Sequence, residues 1–426
     1  MNKAYDTISV IGLGYIGLPT AAMLASRKIK VIGVDINQHA VDTVNKGGVH
    51  IIEPELDTIV NAAVSQGFLR ATTKPEPADA FLIAVPTPFR GEHEPDIGFV
   101  EAAVGSIAPV LKKGDLVILE STSPVGTTEK VAQWLSEARP DLAFPQQRCD
   151  SADVNIAYCP ERVLPGRVVY ELINNNRIIG GITPQCSQRA IDLYKTFVVA
   201  ECIETDARTA EMCKLTENSF RDVNIAFANE LSIICERLNI DVWALIKLAN
   251  RHPRVSILQP GPGVGGHCIA VDPWFIVSRT PVEARLIRAA REVNDSKPRW
   301  VLDRVRRVVA EYLQENPDRA TKGITIACFG LAFKPDIDDL RESPSLEISI
   351  ALANEYPGRV VVIEPNVFGS PASLPGGTKM VTPSEAQKIS DIAVLLVAHK
   401  EFKSLPRSFW RDFKVIDACG LISADW

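Results

Sequence analysis

The segment Gly12-Leu13-Gly14-Tyr15-Ile16-Gly17 constrains this chain more than any other, because it joins the β-branched run Ile8-Ser9-Val10-Ile11 to a stretch patterned as a helix. Glycines at this spacing divide the work of a strand-turn-helix unit: one closes a tight turn, one lets the backbone approach a diphosphate, and one lets helix pack on strand. The diphosphate then sits at the helix N-terminus, where unpaired N–H groups point. A second strand, Val31-Ile32-Gly33-Val34, ends at Asp35, 18 residues after Gly17. An acidic side chain there accepts both hydroxyls of a ribose and repels a 2′-phosphate, and the following Ile36-Asn37-Gln38 supply no arginine to hold one. The expected cofactor is NAD, bound by Gly12, Gly14, Tyr15, Ile16, Gly17 and Asp35.

Strand-like runs continue at Ala80-Phe81-Leu82-Ile83-Ala84-Val85 and Leu116-Val117-Ile118-Leu119, alternating with helical stretches. Such alternation implies a parallel, doubly wound sheet. Pro86-Thr87-Pro88 and Ser121 to Thr128 then place hydroxyls and helix N-terminal amides at the carboxyl edge of that sheet, where ligands bind, although position alone equally describes ordinary turns and caps. Thr87 and Thr128 are the cofactor candidates among them. From Thr205 to Glu315 the pattern becomes long amphipathic helices, interrupted by a Pro- and Gly-rich loop, Gln259 to Asp272. Strands return at Ile324 to Phe329, Val360 to Ile363, Ile392 to Val397 and Val415-Ile416. The expected fold is α/β: two Rossmann-like doubly wound domains joined by a central helical domain, with boundaries at 1–204, 205–320 and 321–426. The two α/β ends read as distant copies of one architecture.

Charge and cysteine usage narrow the function classes. The 46 basic and 52 acidic residues give a net charge of -6 and are scattered without a basic stripe, which sets nucleic acid aside. Nine cysteines, an odd number with no C-x-x-C pair, argue against a disulfide framework or a zinc ribbon and favour the cytosol. The apolar start from Ile8 to Leu24 is broken by glycines and Pro19, so it is not expected to act as an export signal, and no membrane insertion is expected.

The loop Gly261-Pro262-Gly263-Val264-Gly265-Gly266-His267-Cys268 presents a thiol among glycines, unlike Cys235 and Cys328, which sit in apolar runs and read as small buried hydrophobes. Cys268 is therefore the candidate nucleophile. A metal site at His267-Cys268 is not expected, since no second pair lies at zinc-ligand spacing. On the helical stretch Ala210 to Leu238, Lys214, Asn218 and Arg221 share one face. That face is either a solvated stripe or a lysine and an amide brought to a reacting oxygen.

The Gly12 fingerprint, Glu120-Ser121-Thr122, Cys159-Pro160-Glu161-Arg162, Lys214 with Asn218, Gly265-Gly266-His267-Cys268 with Asp272, and Phe329-Gly330-Leu331-Ala332-Phe333-Lys334 together resemble the UDP-glucose/GDP-mannose dehydrogenase family across essentially the whole chain. Cys159 to Gly166, Asn250 to Arg254 and Gln259 to Trp274 look closest to its bacterial branch acting on UDP-N-acetyl-D-mannosamine, which feeds surface polysaccharide such as enterobacterial common antigen. The resemblance implies an NAD-dependent oxidation of an alcohol to an acid. Cys268 would carry a thiohemiacetal and then a thioester, Lys214 and Asn218 would stabilise the oxyanion, and Asp272, Glu161 and Thr122 would position or activate water. It implies substrate contacts from Arg162, Val163, Lys214, Asn218, Arg221, His252, Arg254, Gly265, Phe333, Lys334 and Arg341, with the His252–Arg254 segment reaching the neighbouring subunit of a homodimer. One departure stands out: relatives carry a basic residue where this chain reads Asp417-Ala418-Cys419-Gly420. UDP-N-acetylglucosamine, UDP-glucose and UDP-N-acetylgalactosamine remain alternative substrates. A single-step NAD dehydrogenase and a non-catalytic nucleotide-sugar sensor are the competing functions.

Overall fold

A computed structural model describes residues 5–51, 53–91, 93–164, 166–266, 268–317 and 323–422. The chain divides into two compact units, one comprising Met1–Glu217 with Trp274–Arg279 and the other Asn218–Pro273 with Thr280–Trp426.

In the first unit, β1 (Thr7–Ile11), β2 (Lys30–Val34), β3 (Leu69–Thr72), β4 (Ala80–Ile83), β7 (Leu116–Leu119), β8 (Asn155–Tyr158), β9 (Arg177–Gly181) and β10 (Cys202–Asp206) form one sheet, while β5 (Phe89–Arg90) and β6 (Glu94–Pro95) make a small hairpin. The sheet order is β10-β9-β8-β7-β4-β1-β2-β3. Helices cover both faces, so β4 and β7 are buried at every residue and read as continuous apolar runs. The parallel expectation holds except at one join: β9 pairs with β8 antiparallel. The chain reverses there because the short helix Val168–Asn174 returns it at the carboxyl end of β8. The switch point lies between β1 and β4, and the Gly12 turn opens onto it.

In the second unit, β11 (Ile326–Phe329), β12 (Val360–Ile363), β13 (Lys379–Met380), β14 (Ile392–Leu395) and β15 (Lys414–Asp417) form an all-parallel sheet in the order β13-β12-β11-β14-β15. Its switch point lies between β11 and β14. The two ends do repeat one design. Gly12 after β1 and Gly330 after β11 have φ of 95° and 96°. Their N–H groups donate at 2.8 Å to Val34 and Ile363, the last residues of the adjacent second strands. Asp35 and Glu364 then follow those strands; Asp35 takes one N–H from its glycine turn, that of Leu13, and Glu364 takes two, those of Leu331 and Ala332.

Two 31-residue helices, Ala207–Arg237 and Arg285–Glu315, dominate the helical part, with Val242–Ala249 and Asp272–Arg279 between them. Among the described residues no helix is long and apolar enough to cross a membrane.

Candidate active site

The helix Gly17–Ser26 starts with no side-chain cap, leaving the fingerprint backbone to face a ligand. A Cβ on Gly17 would meet the Gly12 carbonyl at 1.8 Å, whereas Gly14 has open space around it. Tight packing is thus at Gly17 and the approach side at Gly14. Asp35 accepts from Leu13 N–H and Asn37 N–H, both at 2.8 Å, one on each carboxylate oxygen. This fixes the carboxylate at the lip of the turn with lone pairs left for a ribose. Tyr15 and Ile36 are exposed beside it. The Thr87 hydroxyl donates to the Thr122 carbonyl at 2.7 Å, joining the loops after β4 and β7. Thr128 is fully buried, and its hydroxyl and N–H both go to Glu211, at 2.6 and 2.7 Å.

After β8, Glu161 is buried and ion-paired to Arg177 at 3.0 Å. Arg162 pairs with Glu217 at 2.5 Å and lines a cavity of about 410 Å³ with Asn174, Asn175 and Asn176. Val163 is half-buried beside it.

Cys268 is exposed, in a turn whose Val271 and Asp272 N–H groups donate to its carbonyl at 3.1 and 2.9 Å. The turn delivers Asp272 to the first position of the helix Asp272–Arg279. There the buried Asp272 carboxylate accepts from the Asn218 side-chain amide at 2.5 Å. Lys214 stands one helical turn before Asn218, half-buried, and forms no ion pair among the described residues; Arg221 is exposed. His267 lies outside the described residues.

Gly265 packs against the loop that follows β11: a Cβ there would meet the Glu342 carbonyl at 2.3 Å and Phe333 Cβ at 2.8 Å. Gly266 N–H donates to the Arg341 carbonyl at 3.3 Å. The thiol-bearing loop and the Phe333–Arg341 loop are therefore neighbours. Glu364 anchors the latter by accepting from Leu331 and Ala332 N–H, while buried His399 accepts from Asp336 N–H at 3.0 Å. Lys334 is half-buried with no ion pair among the described residues, and Arg341 pairs with Asp339. His252 and Arg254 are both exposed after the helix Val242–Ala249. In the segment Asp417 to Gly420 the Asp417 carboxylate accepts from the N–H groups of Cys419, Gly420, Leu421 and Ile422, so this carboxylate organises the turn from within.

Three family models match in order. Residues 6–198 match the NAD binding domain, 208–296 the central domain and 327–423 the UDP binding domain of the UDP-glucose/GDP-mannose dehydrogenase family. The chain belongs to this family. It is 64% identical over 418 residues to a UDP-N-acetyl-D-mannosamine dehydrogenase of Yersinia pestis, covering 98% of this chain and 99% of that one. It is 60% identical over 428 residues to an NDP-N-acetyl-D-galactosaminuronic acid dehydrogenase of Ralstonia nicotianae, covering 100% of this chain and 99% of that one. A solved UDP-D-ManNAc dehydrogenase from Pyrococcus horikoshii is similar in structure, with a TM-score of 0.85 and 38% identity over 98% of this chain and 96% of that one.

As a UDP-glucose/GDP-mannose dehydrogenase family member, the chain is an NAD-dependent oxidoreductase with a UDP-binding domain. Several residues that support its site had escaped sequence reading. Glu53 accepts from Gly166 and Val168 N–H at 2.8 and 2.7 Å and so pins the loop after β8. Asn229 accepts from Gly261 N–H at 2.8 Å and donates to Asn294, which with Arg291 bonds to buried Asp222. That chain of contacts holds the start of the thiol-bearing loop. The signal was the recurrence of Asp222 and Asn229, and of Arg291, Asn294 and Lys297, on faces of helices otherwise buried by apolar residues.

Proposed function

We propose that the chain catalyses the four-electron oxidation of UDP-N-acetyl-D-mannosamine at C6 to UDP-N-acetyl-D-mannosaminuronate through covalent intermediates on Cys268. The observation that carries this reading is an exposed thiol at the mouth of a glycine loop, with the Asn218–Asp272 pair at the end of the same turn. The named sugar rests on the 64% identity to the Yersinia pestis enzyme.

NAD supplies a hydride acceptor for each of two oxidations. As C6 loses its first hydride, Lys214 or a water beside Asp272 takes the hydroxyl proton, leaving an aldehyde. The Cys268 thiol adds across the carbonyl, sulfur to carbon and proton to oxygen, which keeps the aldehyde on the enzyme. Lys214 and Asn218 stabilise the oxyanion that develops there. Loss of a second hydride and proton leaves a thioester. Water held by Glu161, Thr122 and Asp272 then adds to the acyl carbon and expels the thiol, giving carboxylate. Arg162, Val163, Arg221, Gly265, Phe333, Lys334 and Arg341 hold the nucleotide-sugar, and the cations match its diphosphate.

The working protein is a homodimer, with His252 and Arg254 directed to the neighbouring subunit. Supporting this, Phe220, Phe227 and Ile234 form an exposed apolar stripe at spacings of seven along the helix Ala207–Arg237, with exposed Leu238 just past its end. The functional division is an NAD-binding domain at 1–204, a helical dimerisation domain at 205–320 and a UDP-sugar domain at 321–426. The chain works in the cytoplasm and serves surface polysaccharide synthesis of the enterobacterial common antigen type.

The 60% identity to the Ralstonia nicotianae enzyme favours a second reading, the same chemistry on an N-acetylgalactosamine nucleotide. Initial rates on UDP-N-acetylmannosamine, UDP-N-acetylgalactosamine, UDP-N-acetylglucosamine and UDP-glucose separate the two. The first substrate is expected to give the highest kcat/KM; a higher value on another reassigns the sugar.

A further inference from the structure

The inversion of β9 has a chemical result. Tyr158 faces Gly180 in the antiparallel pair. Continuing that register past the end of β8 sets Arg177, the first residue of β9, beside Glu161. In a fully parallel sheet the start of β9 would lie at the opposite edge, away from the ligand cleft.

Arg177 Nη2 donates to Glu161 Oε2 at 3.0 Å, and the Arg162 N–H donates to Oε1 at 2.6 Å, so both carboxylate oxygens are held. Arg177 is itself fixed from behind. Its guanidinium lies 4.9 Å from the Tyr194 ring centre and 5.8 Å from that of Phe197, with Nη1 3.8 Å from Cys159 Sγ. The Tyr194 hydroxyl donates to Glu120 Oε1 at 2.6 Å. Arg177, Glu120, Tyr194 and Cys159 are all buried. One guanidinium faces two buried carboxylates here and contacts only Glu161. Burial pushes Glu120 up to about 7, so its carboxyl group holds a proton part of the time near neutrality. Burial likewise raises the Cys159 thiol to about 12, which keeps it neutral. A buried ion pair is a poor device for stability alone, since apolar side chains of the same volume serve as well or better.

We propose that Arg177 is a positioning residue for thioester hydrolysis, locking the Glu161 carboxylate in the orientation that holds water, with Tyr194 and Glu120 as the buried backing that fixes the guanidinium. This rests on the covalent mechanism proposed above and on the place of Glu161 in it. No new group enters the reaction: Arg177 stays protonated while Glu161 changes partners only with water.

The test is rapid mixing of enzyme, NAD and UDP-N-acetylmannosamine with NADH absorbance followed through the first turnover. Wild type is compared with Glu161→Gln, Arg177→Gln, Arg177→Lys and the double variant Glu161→Gln/Arg177→Gln. A misplaced reacting group costs about a hundredfold, and that loss is expected in the steady state of Arg177→Gln. The initial formation of two NADH per Cys268 is expected to stay at its wild-type rate. Arg177→Lys recovers part of the loss, and the double variant is no slower than Glu161→Gln alone, because both changes act on one step. Equal slowing of both phases, or additive losses in the double variant, overturns the proposal and leaves Arg177 a structural ion pair. Should Arg177→Gln fail to fold, the same comparison of phases in Arg177→Lys decides. A wild type that forms one NADH per sugar would instead refute the covalent mechanism, before any variant is compared.

Discussion

The Asn218 side-chain amide donates to the Asp272 carboxylate at 2.5 Å, tying the long helix Ala207–Arg237 to the turn that carries Cys268. Both partners are buried, so neither exchanges this contact for water without cost. The pair fixes where an amide stands relative to a thiol. If that amide stabilises charge that appears only during reaction, Asn218→Ala is expected to lower kcat by about a hundredfold to a thousandfold with a small change in KM. Steady-state kinetics at saturating NAD check this; a loss confined to KM assigns Asn218 to ground-state binding.

Asp35 holds its carboxylate on the N–H groups of Leu13 and Asn37, and the proposed cofactor site places a ribose against it. Asp35→Ser removes the charge that repels a 2′-phosphate. The KM for NAD is expected to rise about tenfold, the cost of a lost charge-assisted hydrogen bond. Measurable turnover with NADP is expected to appear. Rates with the two cofactors, measured side by side, give the ratio directly.

Lys334 and Arg341 belong to one loop but differ in their present engagements. Arg341 is exposed and paired with Asp339, whereas Lys334 is half-buried without an ion pair among the described residues. Binding of a diphosphate therefore costs Lys334 no existing ion pair. Lys334→Ala is expected to raise the KM for UDP-sugar by at least tenfold, and Arg341→Ala by less, on the scale of charge-assisted bonds. Calorimetric titration with UDP alone reports the same order without catalysis. Arg341 losing more than Lys334 would contradict it.

Lys297 is 2% exposed, and its ammonium donates to the Ser232 hydroxyl and lies 3.7 Å from the Trp300 ring centre. Burial, aided by nearby Arg304, lowers it to about 7, against 10.5 for an ordinary lysine. Between those values the unfolded chain binds a proton that the folded chain has released. Stability therefore rises with pH across that window, by up to about 1.4 kcal/mol per pH unit from this group. Lys297→Met is expected to abolish that rise. Urea unfolding at pH 7 and pH 9 tests it, and an unchanged pH dependence in the variant would place the titrating group elsewhere.

Much of the scaffold was legible in the sequence because buried parallel strands leave continuous apolar runs. Ala80–Ile83 and Val360–Ile363 are such runs, and the Gly12 turn with Asp35 carries its own spacing. The edge of the first sheet was not legible. Asn155–Tyr158, Arg177–Gly181 and Cys202–Asp206 mix polar residues into short strands, and nothing in their composition distinguishes an antiparallel from a parallel join. At the site, Cys268 stood out by its glycines and Asn218 by its spacing from Lys214. Asn229 and Asn294 show in the sequence only as polar interruptions of apolar helix faces, which do not reveal their partners, and Glu53, in a loop, has no local signature. Thr128 looked like a ligand-facing hydroxyl at a helix start. Its engagement by Glu211, 83 residues along the chain, is a contact only the fold creates.

The covalent four-electron mechanism is tested most directly by counting NADH formed per UDP-N-acetylmannosamine consumed, in wild type and in Cys268→Ser. A ratio of two in wild type, with uronate formation lost in the variant, is the expected result. A ratio of one in wild type, or a ratio of two that survives in Cys268→Ser, would contradict it.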